Sequence, residues 1–572
     1  MTHKISGAEI LLESLLAQGV DTVFGYPGGQ IIPVYDKLYD YQDRIRHILV
    51  RHEQGAIHAA QGYARAGGMP GTVLVTSGPG ATNVVTGIAD AMIDSTPVVV
   101  IAGQVGTSLL GTDAFQETDF IGLTTPITKW SYQIRRAEDI AWAVSRAYYI
   151  AKSGRPGPVV LDFTKDAQTG MAEYREASCS FIRSYVPVPK PSEEVLEAAA
   201  RMIVESRRPL LVYGQGILLS GAEKALEAFL DKTGMPAAST LLGLSALRSD
   251  NPHYIGMLGM HGNLAPNIMT QACDLLIAVG MRFDDRVTGN VKTYARQAKV
   301  LHIDIDASEI GKNIHADLGV LGDAREVLEA LTSRVASRKG GDWLQEPGRF
   351  HAVEQERVIA PETAPESGPV KPGEVVSVVS DVCGREAIVV TDVGQNQMFA
   401  ARYSRFRHSR SMITSGGLGT MGFGLPAAIG AKIAAPQRPV CLFVGDGGLQ
   451  MTMQELGTIL QEQVGVKIVL LDNNWLGNVR QWQELFFHER YSATKMVNPD
   501  YACIAAAYSI RFENVESRGE LRPAVERMLA DDAPCILRVH VAETDNVFPM
   551  IPPGKSVNEI MLNEKEWFTN GN

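Results

Sequence analysis

The stretch Pro439-Val440-Cys441-Leu442-Phe443-Val444-Gly445-Asp446-Gly447-Gly448, followed by Val466-Lys467-Ile468-Val469-Leu470-Leu471-Asp472-Asn473-Asn474, decides the fold class. Each piece opens as an apolar run too short for a helix and closes on Gly, Asp or Asn, which is how a strand buried on both faces reads. Between them Leu449, Met453, Leu456, Leu460 and Val464 recur at helical spacing, so the whole predicts one βαβ crossover. In such a crossover both strands run the same way. Asp446 and Asn473 therefore leave carboxyl ends at one edge of the sheet, where open α/β sheets bind ligands.

A carboxylate and an amide oxygen at that edge suit a hard cation such as Mg2+, which takes oxygen ligands and shares them with phosphates. Gly445, Gly447 and Gly448 let a diphosphate approach the backbone amides of the helix start. A Gly-Asp-Gly alone would also mark a plain strand exit. Asn473, 27 residues on and after a complete helix-strand unit, makes the pattern specific.

Working outward, similar runs occur at Gly71–Val75, Pro97–Gly103, Pro158–Asp162, Pro209–Gly214, Asp274–Gly280, Lys299–Asp306 and Ala387–Asp392. They predict several parallel sheets. Two seams interrupt them, the Pro-rich Tyr185–Pro191 and a Gly-, Pro-, Glu- and Ser-rich segment from Gly340 to Pro372. The expected fold is α/β, three doubly wound parallel-sheet domains at residues 1–185, 191–340 and 371–572, with 341–370 as a linker. The first and last domains share one style of strand, Gly-rich turn and helix.

The length of 572 residues fits three or four domains at ~150 residues each. With 45% hydrophobic and 20% charged residues the composition is globular. A net charge of −11 without a Lys/Arg run speaks against nucleic acid. Six dispersed cysteines with no C-x-x-C pair read as reduced thiols. No run approaches the ~20 apolar residues of a membrane span. Met1–Gly19 reads as an amphipathic helix capped by Ser6 and Glu9 rather than a leader, so a soluble, cytoplasmic protein is expected. Gly is over-represented, at 55 residues.

In the first domain Ile48–Val50 reads as a strand giving way to a small-residue helix with Glu53 in its first turn. A carboxylate there also answers the helix dipole. Gly25-Tyr26-Pro27-Gly28-Gly29 and Ser77-Gly78-Pro79-Gly80-Ala81-Thr82-Asn83 each follow a strand.

Gly445–Gly447 followed by Asn473-Asn474 resembles the signature of thiamine diphosphate (ThDP) enzymes. The similarity extends over nearly the whole chain. Gly25–Gly29, Arg51–Ala56, Ser77–Asn83, Ala114–Glu117, Gly154–Pro158, Met257–Gly262, Arg282–Arg286, Ser415–Pro426 and Gln481–Gln483 all look like the catalytic subunits of the acetohydroxyacid synthase (acetolactate synthase) family. The resemblance implies ThDP pyrimidine-binding, central FAD-binding and ThDP diphosphate-binding domains, in that order. It implies a reaction that joins a hydroxyethyl group, derived from pyruvate with loss of CO2, to a second pyruvate or to 2-ketobutyrate, the first common step of branched-chain amino-acid synthesis.

By the same resemblance Glu53 activates ThDP, with Tyr26, Pro27, Gly28, Gly29, Pro79 and Asn83 in the pyrimidine-binding loops. Asp446, Asn473 and the backbone oxygen of Trp475 hold Mg2+, and Gln395 lies near the diphosphate with Gly445, Gly447 and Gly448. Gly419 contacts the aminopyrimidine through its carbonyl, and Met421 wedges the cofactor into its bent form. On the substrate side Arg286 binds the second keto acid's carboxylate, as a planar guanidinium can bidentately. Its alternative is an ion pair with Asp284 or Asp285. Trp482 forms an apolar wall favouring 2-ketobutyrate, by the ~1–3 kcal/mol that one methylene supplies. Phe115, Gln116, Lys165 and Val479 match the access channel.

Gly214-Gln215-Gly216 follows a strand, yet Leu219 leaves the dinucleotide fingerprint incomplete. Together with Arg155, Met260, His261, Gly280, Arg282, Asp304, Asp306 and Asp323 these residues look like the family's FAD-binding stretches. A Rossmann-like domain without ligand is the alternative. The net reaction is not redox, so the flavin is structural. The family also implies a homodimer or homotetramer and a small regulatory subunit. Asp472, Asn478 and Thr164 depart from its pattern, where Asn, Met and Pro are usual. Rival readings are a flavin-free acetolactate synthase, a pyruvate oxidase, and a non-catalytic protein of the same fold.

Overall fold

The computed structural model describes residues 4–338 and 340–568. Residues 1–3, 339 and 569–572, which the expected domain bounds include, lie outside the described residues. Three six-stranded sheets follow one another along the chain, and every strand pair in them is parallel. The first holds Thr22–Gly25, Arg46–Leu49, Gly71–Val75, Val98–Gln104, Trp130–Ile134 and Val159–Thr164, in the spatial order 2-1-3-4-6-5. The third holds Ile388–Thr391, Met412–Ile413, Val440–Gly445, Val466–Asp472, Arg511–Val515 and Cys535–His540, in the same order. The middle sheet runs 3-2-1-4-5-6 through Pro209–Tyr213, Ala237–Ser239, Tyr254–Met257, Leu275–Val279, Lys299–Asp304 and Leu318–Leu321, the doubly wound dinucleotide-binding order.

Helices cover both faces of each sheet, so strand side chains are buried whichever way they point. Val98–Ile101, Leu210–Val212 and Val440–Val444 are all within 1% of complete burial. Each such side chain contributes about 1.5–3 kcal/mol. The first and last domains join where the helix Glu53–Gly67 packs on Gly424–Ala434. A Cβ at Gly62 would overlap the Ala427 carbonyl, and one at Gly430 the Ala59 carbonyl, so only glycine allows the two backbones this close.

Two expectations are corrected. The helix after Gly445 is broken into Asp446–Thr452, a 3-10 turn Met453–Glu455, and Leu456–Glu462. Thr452 leaves helical backbone at φ −134° and donates its hydroxyl to the Gly422 carbonyl (3.0 Å). Leu449 and Leu456 stay buried while Leu460 turns 38% exposed. The segment 341–370 is not an extended linker, since Gly341–Gln345, Pro347–Glu354, Gln355–Ile359 and Ala360–Thr363 are helical. Its Phe350 and Val358 share an apolar cluster with Leu276 of the middle sheet and with Phe548, Ile551, Ile560 and Phe568. The chain's last stretch thus packs on the middle domain. A buried ion pair, Glu354 with Arg402 at 2.6 Å, adds to that apolar contact.

Candidate active site

The edge expected to take a cation is formed as the crossover requires. Gly445 and Leu471 are partners in register, so Asp446 and Asn473 both emerge at the carboxyl edge. Asp446 opens its helix and is 1% exposed. Burial, with Asp472 adding to it, pushes its carboxyl up to about 6, against a hydrogen bond from Asn498. Asn473 Oδ1 accepts from the Trp475 amide at 3.0 Å, which sets the turn. The donor set is all oxygen, which fits a hard cation.

Asn498 escapes sequence reasoning. Its Nδ2 donates to Asp446 Oδ2 (2.7 Å), Asp472 Oδ1 (2.7 Å) and Asn474 Oδ1 (3.2 Å). Val497-Asn498-Pro499 signals only a turn. Asp472, where the family carries Asn, is buried and answered by Arg538 Nε at 2.6 Å. The answering charge comes from the neighbouring strand Cys535–His540, which pairs with Val466–Asp472. A Cβ at Gly447 would come within 3.8 Å of the Met421 thioether methyl, so Met421 overhangs the helix start. A Cβ at Gly448 would instead overlap the Asp392 carboxylate. Gln395 is buried and donates to Gln481 Oε1 (3.0 Å) and the Asp545 carbonyl (2.8 Å).

The first domain gathers its own group. Glu53 begins the helix Glu53–Gly67 and accepts from Asn83 Nδ2 at 2.9 Å. His52 caps that helix, its Nδ1 accepting from the Gln54 amide. His58 is wholly buried against Phe423, and burial lowers its pKa to about 3, so it is a neutral core residue. Glu455 accepts from the amides of Arg51 and His52 and from Thr458, fixing the turn that presents Glu53. Tyr26 is 39% exposed, Pro27 is exposed beside it, and a Cβ at Gly28 would strike Thr76. Pro79 opens the short helix Pro79–Thr82. Lys165 Nζ reaches the Gly29 carbonyl at 3.5 Å, from a helix turn that Thr164 begins. Gln116 holds φ +62°, pressed against Gly78, and Phe115 beside it is 84% exposed. A left-handed non-glycine residue beside a bare aromatic stores strain of the kind found at ligand sites.

A cavity of about 1030 Å3 opens where the middle domain meets the first and the last. Arg155, Gly214, Gly216, Met260, His261, Gly280, Arg282, Asp304 and Asp323 line it, with Arg286, Gly419, Asn478, Val479 and Trp482. Asp306 does not, because its carboxylate serves Arg155 (3.1 Å) and Ser308. Gly214 and Gly216 are glycines because Gly280 lies against both, the Gly216 amide donating to the Gly280 carbonyl at 3.0 Å. His261 Nδ1 and Asn478 Oδ1 are buried without a partner. Asp304 is pushed up to about 6 by burial. The Arg286 guanidinium stands 5.9 Å from the centre of the Trp482 ring and pairs with Asp285 at 3.7 Å, while its side chain stays 61% exposed. The cavity lining includes none of Tyr26, Gly28, Gly29, Glu53, Asn83, Gln116, Lys165, Asp446 or Asn473 among the described residues.

Residues 5–123 match the N-terminal TPP binding domain of thiamine pyrophosphate enzymes, 196–331 their central domain, and 392–539 their C-terminal TPP binding domain. Three parallel sheets with Asp446 and Glu53 at strand-to-helix turns thus make up a thiamine pyrophosphate enzyme. The chain is 45% identical over 558 residues to the acetolactate synthase isozyme 2 large subunit of Escherichia coli, covering 97% of this chain and 99% of the relative. It is 43% identical to the acetolactate synthase large subunit of Lactococcus lactis, covering 97% and 96%. A probable acetolactate synthase large subunit of Methanocaldococcus jannaschii is 41% identical, covering 97% and 95%. The chain belongs to the acetolactate synthase large-subunit family.

Proposed function

We propose that the protein condenses pyruvate with a second 2-keto acid, releasing one CO2 and forming acetolactate from pyruvate or acetohydroxybutyrate from 2-ketobutyrate. The observation that carries this is Arg286 over Trp482 at the mouth of a cavity that Gly419 also lines. An anion-binding guanidinium beside an apolar wall is what a short 2-keto acid needs. When bound, ThDP would supply a carbon nucleophile for the pyruvate carbonyl and the electron sink that lets CO2 leave.

Glu53, held by Asn83, would anchor the aminopyrimidine ring. Asp446, Asn473 and the Trp475 carbonyl would hold Mg2+ with the diphosphate. The middle cavity would take FAD, its unpartnered His261 Nδ1 offering a polar contact. Arg286 orients the second keto acid and Trp482 excludes water beside it. The separation of Glu53 and Asn83 from the cavity supports a site shared by two copies of the chain. The relatives' name, large subunit, supports a smaller regulatory partner.

Two experiments test the reading. In competition between pyruvate and 2-ketobutyrate the wild type is expected to favour acetohydroxybutyrate, and Trp482→Leu to lose that preference by about 5- to 150-fold. An unchanged product ratio excludes Trp482 as the selective wall, and acetate as main product excludes the reaction. Co-expressed Glu53→Gln and Asp446→Ala chains, each inactive alone, are expected to recover about a quarter of wild-type activity. Half of randomly assorted two-fold dimers are mixed, and each mixed dimer keeps one intact site. No recovery places the whole site in one chain.

A further inference from the structure

The loop Ser415–Gly419 lines the cavity on one side. Its other side is held by three buried polar residues that the chemistry above does not use. Asp94, at the end of the helix Val85–Ile93, accepts from two successive amides, Gly416 N at 2.9 Å and Gly417 N at 2.7 Å. Asp90, one turn earlier, accepts on Oδ1 from Ser415 Oγ and from Thr420 Oγ1 (2.9 Å). Arg65 donates to Asp94 at 2.7 Å, to Thr96 Oγ1 at 3.0 Å and to the Thr414 carbonyl. Asp90 and Asp94 are within 1% of complete burial, and the Arg65 side chain is 8% exposed.

A buried pair of this kind is poor stabilisation, because desolvation takes back most of the attraction. Asp90 Oδ2 is moreover buried with no partner at all. What the cluster does supply is direction. Four hydrogen bonds from one helix end fix both ends of a loop whose middle, Gly419 at φ +73°, turns its carbonyl by a left-handed backbone that only glycine adopts freely. The fit admits no side chain, since a Cβ at Gly417 would stand 2.8 Å from Asp94 Oδ1 and 2.9 Å from Ile93.

We propose that Asp94 and Asp90, with Arg65, are positioning residues for ThDP. They touch no cofactor atom and act by setting the Gly419 carbonyl where the aminopyrimidine ring is received. The inference rests on the reading of Gly419 as a cofactor contact. The Arg65 helix also begins at Glu53; in a site shared by two copies that Glu53 would serve the other copy's ring.

The test is equilibrium dialysis of ThDP, at saturating Mg2+, against the full-length protein and its variants, with thermal unfolding in parallel. Asp94→Asn keeps the acceptor's size and removes its charge. It is expected to raise the ThDP Kd about tenfold to a hundredfold, the worth of a charge-assisted hydrogen bond. Binding at the wild-type Kd overturns the proposal. If Asp94→Asn fails to fold, Thr420→Val is read instead. It removes only the hydroxyl that donates to Asp90, and an unchanged Kd there likewise overturns it. Gly419→Ala separates the two claims. Should Gly419→Ala bind ThDP as wild type, the Gly419 reading fails; should it bind weakly while Asp94→Asn binds normally, only the positioning claim fails.

Discussion

Glu53→Gln is expected to lower kcat by about 10^2- to 10^4-fold, the usual share of a positioned acid or base. The substitution is nearly isosteric. A glutamine oxygen still accepts from Asn83 Nδ2, now 2.9 Å from Glu53 Oε2, and the His52 cap and the amide contacts of Glu455 do not involve the Glu53 side chain. The thermal transition should therefore stay at its wild-type position while turnover collapses. Steady-state kinetics at saturating ThDP and Mg2+ check this, and a variant with wild-type kcat removes Glu53 from the chemistry.

The second large effect concerns stability. Glu354→Ala is expected to cost about 3–5 kcal/mol, because it leaves the Arg402 charge buried and unpaired. Both side chains are 1% exposed. Glu354 also accepts from Asn263 Nδ2 (3.0 Å) and the Leu264 amide (2.8 Å), so two further buried donors are orphaned. Arg402 meanwhile donates to the carbonyls of His261 (3.0 Å) and Gly262 (2.9 Å), at the wall of the large cavity. Denaturant unfolding should register the loss. An unfolding midpoint equal to wild type would show that the pair contributes nothing.

The strands were readable because parallel sheets bury both faces, so Val440–Val444 and Ile468–Leu471 are apolar without alternation. Asp446 and the pair Asp472-Asn473 were readable for the same reason, since polar residues mark the strand ends. The partners that hold these groups were not. Asn498 reaches Asp446 from 52 residues away, and Asp94 reaches Gly416 from 322. Neither spacing leaves a periodic trace. The helices between Gly341 and Thr363 are hard to read because their few apolar anchors, Trp343, Phe350, Val353 and Val358, are widely spaced among Gly, Pro and charged residues, and a buried ion pair of Glu354 with Arg402 adds to the hold. The break at Thr452 has a similar cause, a hydroxyl drawn out of the helix by the Gly422 carbonyl. Gly447, in the motif, is packed against Leu476, and Gly214 and Gly216 are small because Gly280 is packed on them.

One measurement bears on the central claim most directly, the carbon balance of the purified protein with pyruvate as sole substrate and ThDP and Mg2+ present. The account requires two pyruvates consumed for each CO2 released, acetolactate as the product, and no net uptake of oxygen. One CO2 for every pyruvate, with acetaldehyde or acetate accumulating, or no CO2 at all, would contradict it.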